Sequence, residues 1–212
     1  MTGAANSGLE GLTFVPNAFL PAWMTTSTSG GRFYASIQRA ADVGANPNRP
    51  NTATNIDDYL IYAFDIDLNN SGRIVKWDGI QYATGTPYQN ISDMYFSTET
   101  GILYVLYDDS DNRLIEMNTD GTVIKDYSGI PVNGREGIVV VTNYPSDTAN
   151  LYIASDSETK IVKFSGYPVT YYDRDKDRAN FHVDCNDNDP TVSVNQNYYI
   201  DNDGDGLGAG AA

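Results

Sequence analysis

The sequence lacks the basic surplus, the long apolar runs and the cysteine pairs that mark several large classes of protein. Its 28 Asp and Glu residues outnumber 13 Lys and Arg residues, which gives a formal net charge of −15. Nucleic-acid binding normally requires a basic surface, so this charge argues against a nucleic-acid partner and favours a protein that recruits cations. No apolar run approaches the roughly 18 residues of a membrane span, so direct membrane insertion is not expected.

Cysteine and histidine occur once each, as Cys185 and His182. A single cysteine cannot form a disulfide within the chain, and it leaves the redox compartment open. A Ser-His-Asp triad would have to use His182, and the sequence has no nucleophile-elbow motif, so we interpret this histidine as an exposed or packing residue. The residues therefore favour a non-catalytic protein over an enzyme.

The first residues, MTGAANSGLEG, contain neither the basic nor the apolar region of a secretory signal peptide. The 16 Tyr and 19 Gly residues, together with abundant Asn, Thr and Ser, are nevertheless typical of extracellular β-rich proteins. We therefore expect an extracellular or cell-surface protein from which a signal peptide has been removed, or an excerpt of a longer chain.

Short β-branched and aromatic runs separated by turn residues predict strands, and helical periodicity is nearly absent. The runs recur in three units. First strands are predicted at 9–14, 91–96 and 135–140, second strands at 31–38, 101–109 and 150–157, third strands at 59–67, 113–121 and 160–164, and fourth strands at 72–82 and 121–127 only. Units of about 40 residues with four short antiparallel strands are typical of propeller blades. The Asn- and Pro-rich insertion at 41–55 is expected to be an irregular surface loop.

The order of these elements, in which an EG-apolar opening is followed by LY and then by (R/K)(L/I) strands, resembles the SdiA-regulated and esterase-like-phytase β-propellers. More loosely, it is similar to the strictosidine-synthase and gluconolactonase propellers. The resemblance covers residues 9–168 and implies an all-β fold of propeller-like, four-stranded antiparallel blades. The same strands could also build a β-sandwich or stacked meanders.

Three blades are too few to close a ring, because propellers usually have four to eight. Three explanations stay open at this point. The chain is a fragment, or blades are shared between subunits, or a degenerate blade lies within residues 15–60.

Glu10 and Glu136 each precede a glycine at the start of a unit's first strand, where the middle unit has Ser92 and Asp93. In gluconolactonase-like propellers a glutamate at such a place lines the central channel and can bind calcium. The resemblance therefore implies a channel metal site at these two glutamates, while the simpler interpretation is that polar residues cap the strand ends. A channel site would suit a calcium-dependent hydrolase of the phosphatase or lactonase kind, although phytase-like chemistry would need clustered Lys and Arg, which are scattered here.

Residues 169–212 differ in composition, since they are rich in Asp and poor in apolar strands. This change predicts a first domain at 1–168 and a second, loop-rich module at 169–212. The module has its own repeat, because DRDKDR at 173–178 recurs as DNDGDG at 201–206. The second copy runs close to the last residue, so we expect the module to be truncated at its C-terminal end.

Alternating aspartates are the pattern of a calcium loop, in which positions 1, 3 and 5 supply carboxylates, position 7 a backbone carbonyl and position 12 a closing carboxylate. Counted from Asp173, this register is complete. Its candidate ligands are Asp173, Asp175, Asp177, Ala179 through its carbonyl group, and Asp184. The weak point is position 6, where the sharp turn favours glycine and Arg178 stands.

The second copy of the repeat has the better turn residue but lacks its closing ligand. Counted from Asp201, it places Asp203 and Asp205 at positions 3 and 5 and Gly206 at position 6, but position 12 is Ala212. Further candidate ligands close by in the sequence are Asp187 and Asp189.

The pattern YY-D-x-D-x-D, followed by DCNDNDP and YYIDNDGDGLG, resembles the metal-binding repeats of bacterial and archaeal surface proteins and is similar to the thrombospondin type 3 calcium repeats. The resemblance covers about 171–210 and implies calcium as the cofactor. The ligands that it implies by position are Asp173, Asp175, Asp177, Asp184, Asp187, Asp189, Asp201, Asp203 and Asp205. The sequence departs from the pattern at Asn186 and Arg178, and it lacks a second cysteine to pair with Cys185.

The alternative to a metal module is a disordered acidic linker, since segments with high charge and few apolar residues do not fold alone. Both descriptions can hold if the segment is disordered without metal and ordered with it. Zinc and copper are not expected, because the ligands are hard oxygens and only Cys185 and His182 are soft candidates. The sequence thus predicts a calcium-binding structural or adhesive protein that self-associates or binds other surface proteins, with the channel hydrolase as the alternative.

Overall fold

The computed structural model describes residues 9–37, 61–67, 73–80, 91–108, 112–143 and 146–193. The chain divides into two compact units, Met1–Thr170 and Tyr171–Ala212. The described elements are strands, apart from the short 3-10 helix Asn17–Phe19, so the predicted all-β class is confirmed for this part of the chain. No helix in the described ranges has the length and apolar character needed to cross a membrane.

Eleven strands form three antiparallel sheets in the described part of the first unit. They are β1 (Leu9–Pro16), β2 (Gly31–Ile37), β3 (Ile61–Asp67), β4 (Arg73–Ile80), β5 (Ile91–Ser97), β6 (Ile102–Tyr107), β7 (Leu114–Met117), β8 (Val123–Tyr127), β9 (Arg135–Thr142), β10 (Thr148–Ser155) and β11 (Lys160–Pro168). The first sheet has the order β1-β2-β3-β4, the second β5-β6-β7-β8 and the third β9-β10-β11. The three predicted units are therefore three sheets, and the third has no fourth strand among the described residues. The insertion at 41–55 lies outside them.

The first strands of the three sheets are neighbours, because β1 lies against β5 and β5 lies against β9. The second sheet is therefore placed between the first and the third. In the described part of the chain the three sheets do not close into a ring, so this part is not a closed propeller. That agrees with the expectation that three units are too few for closure.

Strand β6, with the sequence ILYVLY, shows the effect of this central position. All its residues are buried, although neighbouring residues of a strand point to opposite faces. Leu103, Val105 and Tyr107 join the hydrophobic core shared with the first sheet. Tyr104 points the other way, and its ring centroid lies 6.4 Å from that of Tyr167 on β11. A strand covered on both faces must be apolar throughout, which explains the uninterrupted run.

The first and second sheets pack closely at β1 and β5. Val15 and Tyr34 of the first sheet lie in one core with Met94 and Phe96 of the second. A Cβ atom on Gly11 would lie 2.7 Å from the backbone nitrogen of Met94, so the two strands could not approach as they do with a larger residue there. Close packing of the two strands therefore explains why Gly11 follows Glu10 at the start of the first sheet.

The second and third sheets are joined by polar contacts at their inner strands. Asp93 Oδ2 on β5 accepts a hydrogen bond from the backbone N–H of Ile138 at 2.9 Å. Arg135, at the start of β9, is only 1% exposed. Its guanidinium donates to the carbonyl oxygen of Tyr107 at 2.8 Å, to the carbonyl oxygen of Val132, and to Asp108 Oδ1 at 2.9 Å. This buried arginine therefore fastens the third sheet to the end of β6.

Replacing Arg135 with Ala should lower the free energy of unfolding by about 2–4 kcal/mol, because two buried carbonyl groups lose their donor. Urea unfolding of the full chain, followed by circular dichroism, measures the change. The matched control is Arg113→Ala, since Arg113 forms its ion pair with Asp126 at 2.9 Å in a more exposed position. That substitution should cost less than about 1 kcal/mol. Equal losses for the two variants would contradict the role given to Arg135.

Candidate metal site

The described part of the second unit is held by hydrogen bonds between backbone amides and aspartate carboxylates. Asp173 accepts from the N–H of Lys176 through Oδ1 at 2.7 Å and from the N–H of Arg178 through Oδ2 at 3.0 Å. Asp177 Oδ1 accepts from the N–H of Ala179 at 2.7 Å. Short aspartate side chains readily bond to amides a few residues ahead and bend the chain into a turn. The alternating aspartates thus wind residues 173–179 into a compact loop.

A second segment brings two further carboxylates to this loop. Asp187 Oδ1 accepts from the N–H of Arg174 at 3.1 Å, which ties the two segments together. Asp184 Oδ1 accepts from the N–H of Asn186 at 2.8 Å. The motif DCNDNDP therefore faces the DRDKDR loop through its first two aspartates.

Five carboxylates meet around Asp175. One oxygen each from Asp173, Asp175 and Asp177 lie within 4.8 Å of one another, and the same holds for Asp175, Asp184 and Asp187. The two groups share Asp175, so this residue is the centre of the cluster. Both groups satisfy the spacing that a single cation can bridge.

Three carboxylate oxygens of these residues have no hydrogen-bond donor in the described part of the chain. Asp175 Oδ2, Asp177 Oδ2 and Asp184 Oδ2 are buried and have no hydrogen-bond partner within the described ranges. The Oδ1 atoms of the same three residues accept backbone amides. Buried carboxylate oxygens without a partner are unfavourable, because they have lost water without replacement. The donor set therefore fits a hard cation with oxygen ligands.

Two aspartates of the cluster have a raised pKa. Burial raises the pKa of Asp175, and the neighbouring charges of Asp177, Asp184 and Asp173 add to the effect. Burial likewise raises the pKa of Asp187, again with contributions from nearby carboxylates. Asp175 and Asp187 are therefore harder to ionise here than in water, mainly because they are partly buried and also because other carboxylates lie close by. A bound cation would reverse this effect by attracting all of them.

The loop turns through two residues in a left-handed conformation. Lys176 has φ 66° and Arg178 has φ 80°, values that glycine adopts readily and larger residues do not. Arg178 is the residue at position 6 of the calcium-loop register. In the second copy of the repeat the corresponding residues are Gly204 and Gly206. Arg178 therefore takes the left-handed conformation that glycine would take at this position, at a cost in backbone strain.

A small aromatic group lies beside the loop. The ring of His182 packs against those of Tyr171 and Phe181, with centroid distances of 5.5 and 4.1 Å. Ala179 is buried, at 5% exposure. His182 is exposed and packs on aromatic rings, as interpreted from the sequence, and Cys185 is exposed and free.

The remaining predicted ligands fall elsewhere. Asp189 belongs to neither carboxylate group, and its Oδ1 accepts from the amide and hydroxyl groups of Thr191 at 3.1 and 2.7 Å. These bonds lower the pKa of Asp189. The predicted ligands Asp201, Asp203 and Asp205 lie outside the described residues.

The two glutamates predicted for a channel site lie on inner strands, Glu10 on β1 and Glu136 on β9. Burial raises the pKa of Glu136, and the carboxylates of Asp156, Asp108, Glu10 and Asp93 add to this shift. Neither glutamate belongs to a metal-competent group of three in the part of the chain that the structure describes. The channel metal site stays a prediction. The sequence did not indicate that the Asp93 carboxylate accepts a hydrogen bond from a backbone amide of β9.

Comparison with known proteins adds no relative: no protein-family model and no curated protein matches this sequence.

Replacing Arg178 with Gly should strengthen metal binding, because glycine adopts the left-handed conformation without strain. We expect the calcium dissociation constant to fall about 2- to 5-fold, the strain relief being offset in part by the greater freedom of the unfolded loop. Isothermal titration of the full chain measures it. The control is Arg174→Gly. It removes the same charge from an exposed residue that is not among those with a positive φ. If both variants gain affinity equally, charge and not backbone strain is the cause.

Proposed function

We propose that this protein is an extracellular or cell-surface structural protein whose second unit is ordered by calcium. The observation that carries the proposal is the set of three buried Oδ2 atoms, of Asp175, Asp177 and Asp184, that have no partner among the described residues. They belong to two overlapping carboxylate groups, and the opposite oxygen of each is already bonded to a backbone amide. A cation bound to these oxygens would stabilise the arrangement.

Calcium suits this donor set better than other common metals. It takes six to eight oxygen ligands in flexible geometry. The two overlapping groups of three carboxylates, with the backbone carbonyl of Ala179, would provide several of them. Magnesium requires nearly ideal octahedral geometry and keeps several waters, which a crowded set of carboxylates does not favour. Zinc prefers nitrogen and sulfur ligands. The resemblance of residues 171–210 to Asp-rich calcium repeats supports the same choice.

The extracellular setting is proposed from the energetics of the loop. Residues 171–193 have few buried apolar side chains, so metal binding must supply much of the free energy that orders them. The stabilisation grows with the ratio of calcium concentration to dissociation constant. Extracellular calcium modules work at dissociation constants of about 0.1–1 mM, where the surrounding calcium keeps them filled. We therefore propose a module that is ordered outside the cell.

The first unit is proposed to be a scaffold of propeller-type blades. Its support is the succession of three antiparallel sheets with inner strands β1, β5 and β9 side by side. The alternative calcium-dependent hydrolase would need a metal site at the inner strands, whereas the metal-competent groups found among the described residues lie in the second unit. A structural or adhesive role is the function that the geometry favours.

Removing the shared ligand tests the metal site. Asp175→Asn keeps the side-chain shape but removes a charge from both carboxylate groups, so the calcium dissociation constant of the full chain should rise at least about 10-fold. Asp189→Asn is the matched control, because the described bonds of Asp189 go to Thr191. Isothermal titration with calcium, magnesium and zinc provides the comparison. The proposal fails if the natural sequence binds no calcium at millimolar concentration, or if Asp175→Asn binds as tightly.

A further inference from the structure

The first sheet has one apolar face that no other described sheet covers. On β1, Thr13 and Val15 point towards the second sheet, and Phe96 donates its backbone N–H to Thr13 Oγ1 at 2.9 Å. Leu12 and Phe14 alternate with them and therefore point the opposite way. They are 64% and 38% exposed. Phe14 continues onto β2 through Phe33, whose ring centroid lies 5.2 Å away.

The third sheet has the complementary situation. On β9, Ile138 and Val140 are buried, while Val139 and Val141 point to the other face and are 39% and 46% exposed. The same face carries Ile161 of β11, which is 72% exposed. The cross-strand register places Tyr152 and Lys163 on this face as well, so its apolar residues lie among polar ones. No described sheet lies against it. We call the two surfaces the Leu12 face and the Val141 face.

The inner strands of the three sheets use equivalent positions for equivalent contacts. Aligning the openings LEGLTF, ISDMYF and REGIVV places Leu12 with Met94 and Ile138. In the second and third sheets these residues are buried against the preceding sheet. The close approach of Gly11 to the Met94 nitrogen and the bond from the Ile138 amide to Asp93 occur at matching places. The two internal junctions are therefore built in the same way.

The alignment assigns each open face a partner. Phe14 occupies the position of Phe96, which is buried against the preceding sheet. Val141 occupies the position of Val15, which is buried against the following sheet. The Leu12 face is thus the kind of surface that receives a preceding sheet, and the Val141 face is the kind that receives a following one. Each face therefore fits the other.

We propose that two copies of this chain associate head to tail, with the Val141 face of each copy packed on the Leu12 face of the other. Each junction repeats the sheet packing that the chain already uses twice. The contact joins two different surfaces, so it is heterologous, and it closes only if two such contacts form in one ring. Two copies supply six sheets, within the four to eight of closed rings. Association also covers the apolar side chains of both faces.

The proposal does not depend on the metal site, and its first test is the size of the full chain in solution. Sedimentation velocity at about 0.15 M salt is suitable, because screening reduces the repulsion between two chains of net charge −15. The chain has a mass of 23.2 kDa, and the expected particle has twice that mass. A monomer would overturn the proposal and would point to sheets supplied by neighbouring parts of a longer chain. Open-ended polymers would overturn the closed pair.

Charged substitutions on each face test which surfaces meet. Leu12→Asp and Val141→Asp should each raise the dissociation constant of the pair at least about 100-fold, because a carboxylate would be buried without a partner. The control is Ile124→Asp on β8, since Ile124 is 38% exposed and lies on neither face. This variant should associate like the natural sequence. Circular dichroism establishes that each variant is folded, and Leu12→Ser and Val141→Ser serve if an aspartate variant is not.

Mixing the two aspartate variants distinguishes head-to-tail from like-to-like association. In a mixed pair one junction carries both substitutions and the other carries neither. The intact junction should restore measurable association that neither variant shows alone. If Leu12 faces met each other instead, mixing would restore nothing. Failure of the mixture to associate, or unchanged association of either variant, would overturn the head-to-tail arrangement.

Discussion

The repulsion among the carboxylates around Asp175 is the constraint on which the second unit depends. Backbone amides donate to one oxygen of several aspartates and fix the loop, but three buried carboxylate oxygens have no partner among the described residues. The described part of the unit has little apolar area with which to oppose that repulsion. A divalent cation bound by these carboxylates would replace their repulsion by attraction. Folding of this unit and metal binding are therefore one equilibrium in our account.

The first unit is stabilised in a different way. Its order comes from sheets that bury their faces against one another, with β6 covered on both sides and Arg135 bonding to carbonyl groups at the inner junction. This packing rests on apolar burial and hydrogen bonds. The first and third sheets each have a face that no described sheet covers. The second unit has buried carboxylate oxygens without a described partner. In our proposals a second copy of the chain covers the exposed sheet faces, and a calcium ion binds the carboxylate oxygens.

Much of the fold could be predicted from local patterns, and the exceptions have physical causes. Alternating and continuous apolar runs located the strands because burial on one or two faces decides which residues they tolerate. The aspartate register named Asp173, Asp175, Asp177 and Asp184, and the structure brings their carboxylates into two overlapping groups, because the loop spacing is local. Their role as ligands stays a prediction. Three features needed the tertiary structure. Asp187 joins the cluster while Asp189 bonds to Thr191, Lys176 and Arg178 adopt left-handed conformations without glycine, and Arg135 is buried although charged.

Hydrogen exchange of backbone amides, measured with and without calcium, determines whether calcium orders the second unit. The amides of Lys176, Arg178 and Ala179 donate to aspartate carboxylates, so their protection reports whether the loop is formed. Those of Leu103 and Val105 in β6 report the first unit and serve as the internal reference. We predict at least about 10-fold greater protection of the loop amides in saturating calcium than in chelator, with the protection of β6 unchanged. Equal protection of the loop in both conditions would contradict it.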